Sequence, residues 1–315
     1  MAFFLATCCV AQKKNVYFLK NDGKQVDIRD SADFIRVVQE PDSGSVLYNV
    51  FDFYKNNSKK MVGKSSTIDP QKFEGPCISF YPNGKRKALT SYKKGAKSGA
   101  EYEFYNRGKI YMVKEYLDGD KPGTNFKNDY LIKENYDSVG TVLVENGNGY
   151  LKAYNNDFDD VSEEGSVKEG RRDGQWKGNS KILEITFTET YDKGVLVDGI
   201  SFDKDGKSAT YSLSRENTPN FNGGIEAFYQ YLARYVRYPA EERERNIQGI
   251  AIIGFMVEKN GDIKDVKIVK SVSPGIDEES MRVIRTSKPW QPGMKFGWPA
   301  RVSFSVPISF TLANN

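Results

Sequence analysis

The sequence predicts an α+β protein: a long β-rich meander, then a smaller domain with two helices on a small antiparallel sheet. Three observations lead there. Twenty-eight glycines, many in Asn-Gly and Asp-Gly pairs, punctuate the chain as tight turns. An aromatic-turn motif recurs along the first two thirds. The last hundred residues change to a helical stripe, a hairpin, a second helix and a strand of strict alternation.

Composition bounds the function. At 315 residues the chain is long enough for about two domains, whose cores need no disulfide staples. It has no histidine, which removes the usual general base, the usual partner of Ser and Cys nucleophiles, and the commonest zinc ligand. An enzyme is not expected, nor a cofactor or metal. Lys plus Arg is 46 against 42 Asp plus Glu, a net charge of +4 with no basic stripe, so nucleic acid is not an expected partner.

Phe3 to Val10 is a short apolar run followed by Ala11, Gln12, Lys13 and Lys14. It is too short to cross a bilayer, which takes about 20 residues. It fits the apolar segment of a secretory signal over residues 1–11, with Cys9 and Ala11 as the small residues before a cut at Gln12. The protein is therefore expected to be exported, periplasmic or envelope-associated. Leu5-Ala6-Thr7-Cys8 offers a second reading, a lipoprotein box with Cys8 lipidated. After cleavage Cys77 is the remaining cysteine, read as a small buried hydrophobe.

Residues 12–70 read as a β-rich N-terminal segment and 71–215 as a repeat region. Phe80-Tyr81-Pro82-Asn83-Gly84-Lys85 returns as Phe104-Tyr105-Asn106-Arg107-Gly108-Lys109, and Phe53-Tyr54-Lys55-Asn56 is a weaker upstream copy. Decayed versions follow at Asp173-Gly174-Gln175-Trp176 and at Asp203-Lys204-Asp205-Gly206-Lys207. An aromatic pair ends a strand, the Gly turn reverses it, and one such unit buries too little alone, so copies stack. These residues resemble MORN repeats. The resemblance implies a scaffold that could hold other envelope proteins.

Residues 216–221 read as a linker and 222–315 as the second domain. Asn222 is placed to cap a helix opened by Gly223-Gly224, with an apolar stripe at Ile225, Phe228, Tyr229, Leu232, Tyr235 and Val236. Tyr238-Pro239 ends it and Glu241 to Arg245 is a charged turn. Ile250 to Val257, the turn Asn260-Gly261 and Ile263 to Val269 form a hairpin. Pro274-Gly275 breaks the chain before a helix opened by Asp277, Glu278 and Glu279. In the closing strand Val302, Phe304, Val306, Ile308, Phe310 and Leu312 share one face; Ser303, Ser305, Pro307, Ser309 and Thr311 share the other. Pro307 lacks an N–H, so the strand is expected at a sheet edge with that side facing out.

This order, with Tyr238-Pro239, Gly249, Asn260-Gly261-Asp262, Trp290 and Pro292-Gly293, resembles the C-terminal domain of TonB, in the form found in Bacteroidetes. In that family the domain crosses the periplasm and grips the TonB box of outer-membrane receptors as an added strand, transmitting a pull driven by proton flux. The resemblance implies TonB-dependent outer-membrane receptors as partners, through TonB-box peptides, and a part in energised transport. The apolar run is too short for a transducer's anchor and 12 prolines make no long spacer, so the likeness bears on the binding half. Ser303, Ser305, Ser309 and Thr311 are the expected main-chain contact positions, flanked by Arg301. Tyr238-Pro239 matches a receptor-touching segment of the family, or merely ends a helix. The alternative is an envelope scaffold or adaptor that binds protein through its repeats and is not itself energised.

Two Ser-x-x-Lys sequences, at Ser91 and Ser201, are expected by chance. Asp203 to Gly206 mimics part of a calcium loop without its closing Glu and reads as a turn. Asn155 to Asp160 reads as a solvated acidic loop.

Overall fold

The computed structural model describes residues 13–117, 130–287 and 290–312. The expected signal segment, with Cys8, lies outside the described residues. The chain divides into two compact units, residues 1–178 with 191–194, and 179–190 with 195–315.

The first unit is a meander. Its strands are β1 (Lys14–Leu19), β2 (Gln25–Val26), β3 (Phe34–Gln39), β4 (Tyr48–Tyr54), β5 (Lys59–Ser65), β6 (Phe73–Phe80) and β7 (Arg86–Lys93). They continue as β8 (Ala96–Phe104), β9 (Ile110–Tyr116), β10 (Tyr130–Tyr136), β11 (Val142–Glu145), β12 (Asn148–Tyr154), β13 (Val161–Lys168) and β14 (Arg171–Ser180). β1 pairs with β2 and β3, and from β3 to β14 each strand lies antiparallel to the next.

The repeat has a physical basis at the turns. Tyr81 N–H donates to the Lys85 carbonyl (2.8 Å) and Gly84 N–H to the Tyr81 carbonyl (2.9 Å), with Gly84 at φ 79°. The second copy repeats this at Tyr105 and Lys109, with Gly108 at φ 92°. Such angles suit glycine, which has no Cβ to clash. In the weak upstream copy Asn57 takes the position at φ 65°. Each turn-opening tyrosine then reaches the next copy. The hydroxyls of Tyr54, Tyr81 and Tyr105 donate to the carbonyls of Phe80 (2.7 Å), Phe104 (2.7 Å) and Tyr136 (2.8 Å). Those carbonyls end β6, β8 and β10, so the tyrosine spacing in the sequence is the length of one hairpin plus its turns.

Tyr105, Tyr111, Met112, Ile132, Val144, Leu151, Val167 and Trp176 form a buried core in this unit. Cys77 is buried and free, and burial pushes its thiol up to about 11, away from nucleophilic use.

The second unit holds most of β15 (Ile185–Asp192), then β16 (Val195–Asp203) and β17 (Ser208–Tyr211). Asp203 Oδ1 accepts from the N–H groups of Asp205 and Lys207, so the calcium-like sequence is an ordinary Asx turn. Residues 216–221, expected as a linker, instead carry two short strands. These are β18 (Glu216–Asn217) and β19 (Asn220–Phe221). Their partners lie about seventy to eighty residues on, a distance that local sequence does not reveal.

Three helices follow, α1 (Gly224–Tyr235), α2 (Ala240–Glu244) and α3 (Pro274–Thr286), where two were expected. The strands are β20 (Gly249–Val257), β21 (Ile263–Lys270), β22 (Trp290–Gln291), β23 (Gly293–Lys295), β24 (Trp298–Ala300) and β25 (Val302–Phe310). Asn222 does not cap α1; Gly223, at φ 89°, takes that place with no side-chain bond. On α1 the buried residues are Phe228 and Leu232, with Tyr231 packed beside them, while Ile225, Tyr229 and Tyr235 of the expected stripe are exposed. Pro274-Gly275 does not break the chain but begins α3, because proline is tolerated at the first helical position, where its N–H is not needed. Ser273 caps that helix through the Ile276 N–H.

The main sheet is β21–β20–β25. Ala251, Ile253, Phe255 and Val257 of β20 join Val306, Ile308 and Phe310 of β25 beneath Phe228, Ile276, Val283, Ile284 and Trp290. These residues alternate along each strand, so the helices cover one face.

Tyr81→Phe should lower stability by about 1 kcal/mol, the net value of one hydrogen bond, with little change in denaturant slope. Chemical denaturation of the two chains measures this.

Candidate functional site: an open strand edge

β25 is an edge strand of its three-stranded sheet. It pairs with β20 without a bulge, from Gly249 opposite Phe310 to Val257 opposite Val302. Pro307 lies opposite Ile252 within this register and has no N–H. A proline in an unbroken ladder belongs at a position whose N–H would point away from the partner strand. A second observation agrees: Leu312 N–H donates to Gln248 Oε1 (2.8 Å), on the β20 side. Backbone direction alternates along a strand, so even-numbered residues face β20 and odd-numbered ones face the open side.

The open side therefore presents the N–H and C=O groups of Ser303, Ser305 and Ser309, and the carbonyl of Pro307. The side chains of Ser303, Ser305, Pro307 and Ser309 are exposed. Thr311 is exposed too, but lies one residue past the strand end.

The opposite edge differs. β21 carries Lys264, Lys267 and Lys270, all exposed, and its pairing with β20 is broken by two register shifts. Asp265 there is left-handed, at φ 50°. Lysines and bulges are the usual guards against unwanted strand pairing. The serine-lined β25 carries neither.

The other expected residues are spent within the domain. The Arg301 guanidinium bonds Glu258 Oε1 (2.7 Å) and the carboxylate of Asp265, so it reaches toward β21. Arg301 and Asp265 are exposed and Glu258 partly so, and such pairs add little stability. The Tyr238 hydroxyl donates to the Ile247 carbonyl (2.6 Å), and its ring meets Phe310 edge-on, with centroids 5.5 Å apart. Pro239 is the residue before α2.

Two further residues hold this frame, one read from the sequence only as part of a charged turn and the other only as a helix-opening acid. Glu242, buried on α2, accepts from Gly275 N–H (2.9 Å) and Ser273 Oγ (3.2 Å) at the start of α3. A Cβ on Gly275 would stand 2.1 Å from Glu242 Oε1, so a larger residue would force the Glu242 carboxylate out of this position. Glu279 of α3 accepts from Arg237 N–H (2.7 Å), next to Tyr238, and from the Arg282 guanidinium. Burial pushes the Glu279 carboxyl up, but these donors outweigh it and hold it below the ordinary range.

The hairpin of β23 and β24 is locked in place by side chains of the preceding strands. Phe296, at its turn, packs on Phe187 (4.9 Å) and Tyr211 (5.7 Å), and its carbonyl accepts from Ser201 Oγ (2.7 Å). Beside it, buried Glu189 is bonded by Arg215 and Tyr211.

Residues 234–312 match the family model of the Gram-negative bacterial TonB protein C-terminal. The second unit thus contains a TonB-like domain. Among solved structures, the chain is similar to an NMR solution structure of the Helicobacter pylori TonB C-terminal domain, residues 179–285. Identity is 19%, the TM-score is 0.23, and the match covers 29% of this chain and 82% of that one. A shorter form of that domain, residues 194–285, gives 20% identity and a TM-score of 0.24 over 29% and 96% of the two chains. No curated protein matches.

Among the described residues no group of three or more His, Cys, Asp or Glu side chains is placed to hold a metal, and no helix is long and apolar enough to cross a membrane.

Glu242→Ala should cost about 2 kcal/mol, since it strands the Gly275 N–H inside the fold; thermal or urea unfolding reports it. Glu279→Gln carries a pH signature. The Glu279 carboxyl ionises at lower pH when folded than when unfolded. Its contribution is complete above the ordinary value of 4.5 and disappears as pH falls through the depressed folded value. The stability gap between wild type and Glu279→Gln should be largest near neutral pH and close in acid, as followed by denaturation across pH.

Proposed function

We propose that this protein works at the periplasmic side of the envelope, where its TonB-like domain binds extended segments of outer-membrane receptors by β-strand addition. The supporting observation is the contrast between the two sheet edges. β21 carries lysines and bulges, whereas β25 leaves a row of main-chain groups open beside exposed serines. An extended peptide satisfies those groups and gains affinity from main-chain hydrogen bonds. Ser303, Ser305 and Ser309 supply the contacts, and Thr311 extends the row beyond the strand. Pro307 withholds one donor and discourages pairing between copies of the edge. Tyr238 acts by holding the end of β25, and Arg301 by tying its start to the hairpin.

On this reading the partners are TonB-dependent receptors, recognised through their TonB boxes, and the role is linked to energised transport across the outer membrane. The domain scheme is a cleaved export segment, a stack of MORN-like hairpins and the binding domain. Strand addition uses backbone groups, so a chain without histidine loses nothing by it. A second reading is an envelope adaptor; it draws on the extent of the hairpin stack, from β1 to β14, which offers a long surface for protein partners.

Ser305→Pro tests the proposal. The Ser305 N–H points away from β20, so its removal leaves the internal ladder intact while removing a donor from the open edge. Synthetic TonB-box peptides, titrated by fluorescence anisotropy, should bind wild type and lose about tenfold affinity or more on Ser305→Pro, with the circular dichroism spectrum unchanged. Unaltered binding by Ser305→Pro would refute it. So would no binding by wild type at several hundred micromolar, roughly the weak end of peptide recognition.

A further inference from the structure

The first unit contains a half-open cleft of about 320 Å³, separate in kind from the strand edge. Its wall is aromatic. Tyr111, Tyr154 and Phe158 line it, each packed against the next at ring-centroid distances of 5.2–6.4 Å, and Tyr105 backs them. Phe158 adopts φ 60°, a conformation rare for a bulky residue, and its ring packs into the cluster. The loop that carries it is fixed by reciprocal bonds between Asn155 and Asp159. Tyr154 and Phe158 are half-buried, so each also offers ring surface to the cleft.

The polar groups in the cleft decide the ligand class. Glu103 is paired with Lys114 (2.6 Å), and Glu163 is paired with Arg172 through both carboxylate oxygens. Arg172 also lies over the Trp176 ring (4.1 Å). These four charges are thus neutralised in pairs by neighbours; the fifth charged residue of the lining, Lys87, is exposed and lies over the Tyr81 ring (5.8 Å). A charged ligand would meet at most that one solvated cation, and a purely apolar ligand would leave the paired groups without hydration. A ligand with apolar faces and hydroxyl edges suits both walls. Ligand pockets usually hold about 300–1,000 Å³, so this cleft takes one or two sugar rings rather than a longer chain.

We propose that the cleft binds a neutral glycan, with a pyranose ring stacked on Tyr154 and Phe158 and its hydroxyls bonded to the paired Glu163 and Arg172. This does not depend on strand addition, since none of the residues of β25 takes part. The full chain, titrated with cellobiose, maltose and N,N′-diacetylchitobiose by saturation-transfer NMR, should show saturable binding of at least one at or below about 10 mM, the range of single-site sugar contacts. Binding should persist in about 0.5 M salt, where exposed charge interactions are screened. It should fall about tenfold on Tyr154→Ala, through loss of a ring contact. Phe158→Ala should act the same way, and Asn156→Ala, at the exposed lip, gives a second variant should the core substitutions impair folding. No binding by any of the three sugars would overturn the proposal. So would binding lost in salt, or binding left unchanged by every one of these folded variants.

Discussion

Main-chain hydrogen bonds must be satisfied somewhere, and that requirement organises this protein. In the hairpin stack strands β3 to β13 are paired on both sides, so the meander is closed along its length. In the TonB-like sheet the same requirement is met for β20, flanked by β21 and β25, and only half met for β25. That unmet half is where a partner strand can bring something the chain itself does not supply. The guarded character of β21 gives the sheet a direction, one edge fended and one edge open.

The rigidity of that edge comes from one buried layer. Ala251, Ile253, Phe255 and Val257 are sealed under α1 and α3, and Val306, Ile308 and Phe310 continue the layer into β25. Burying each large side chain contributes about 1.5–3 kcal/mol, so β25 is held flat from one side while its other side stays solvated. Tyr238, Glu242 and Glu279 fix how the helices meet this layer. They act from within the domain, through backbone and ring contacts. The aromatic cleft of the first unit is built by a different device, rings locked edge to face around charges already paired.

Much of this was legible in the sequence where the signal is local. The Asn260-Gly261 turn, the hairpin around it and the repeat of Phe-Tyr before Gly turns follow from residues a few positions apart. Local chemistry misleads where it has two readings. Pro274-Gly275 serves equally as a break or a helix start, and Ser273 with Glu242 decided for the helix. The stripe on α1 contains more apolar residues than the core accepts, so Ile225 and Tyr229 remained outside. Residues 216–221 looked like connecting chain because two-residue strands carry no period of their own.

By itself the sequence determined that residues 302–310 form a strand with one wet face, because a period of two is a property of the chain alone. It also determined that Pro307 turns its missing donor away from a partner, because proline has no N–H in any context. Only the tertiary structure decided that β25 lies beside β20, that Arg301 reaches toward Asp265, and that Phe296 anchors between Phe187 and Tyr211. Each of those depends on which distant segment lies alongside, and that is set by burial and pairing over tens of residues rather than by any local preference.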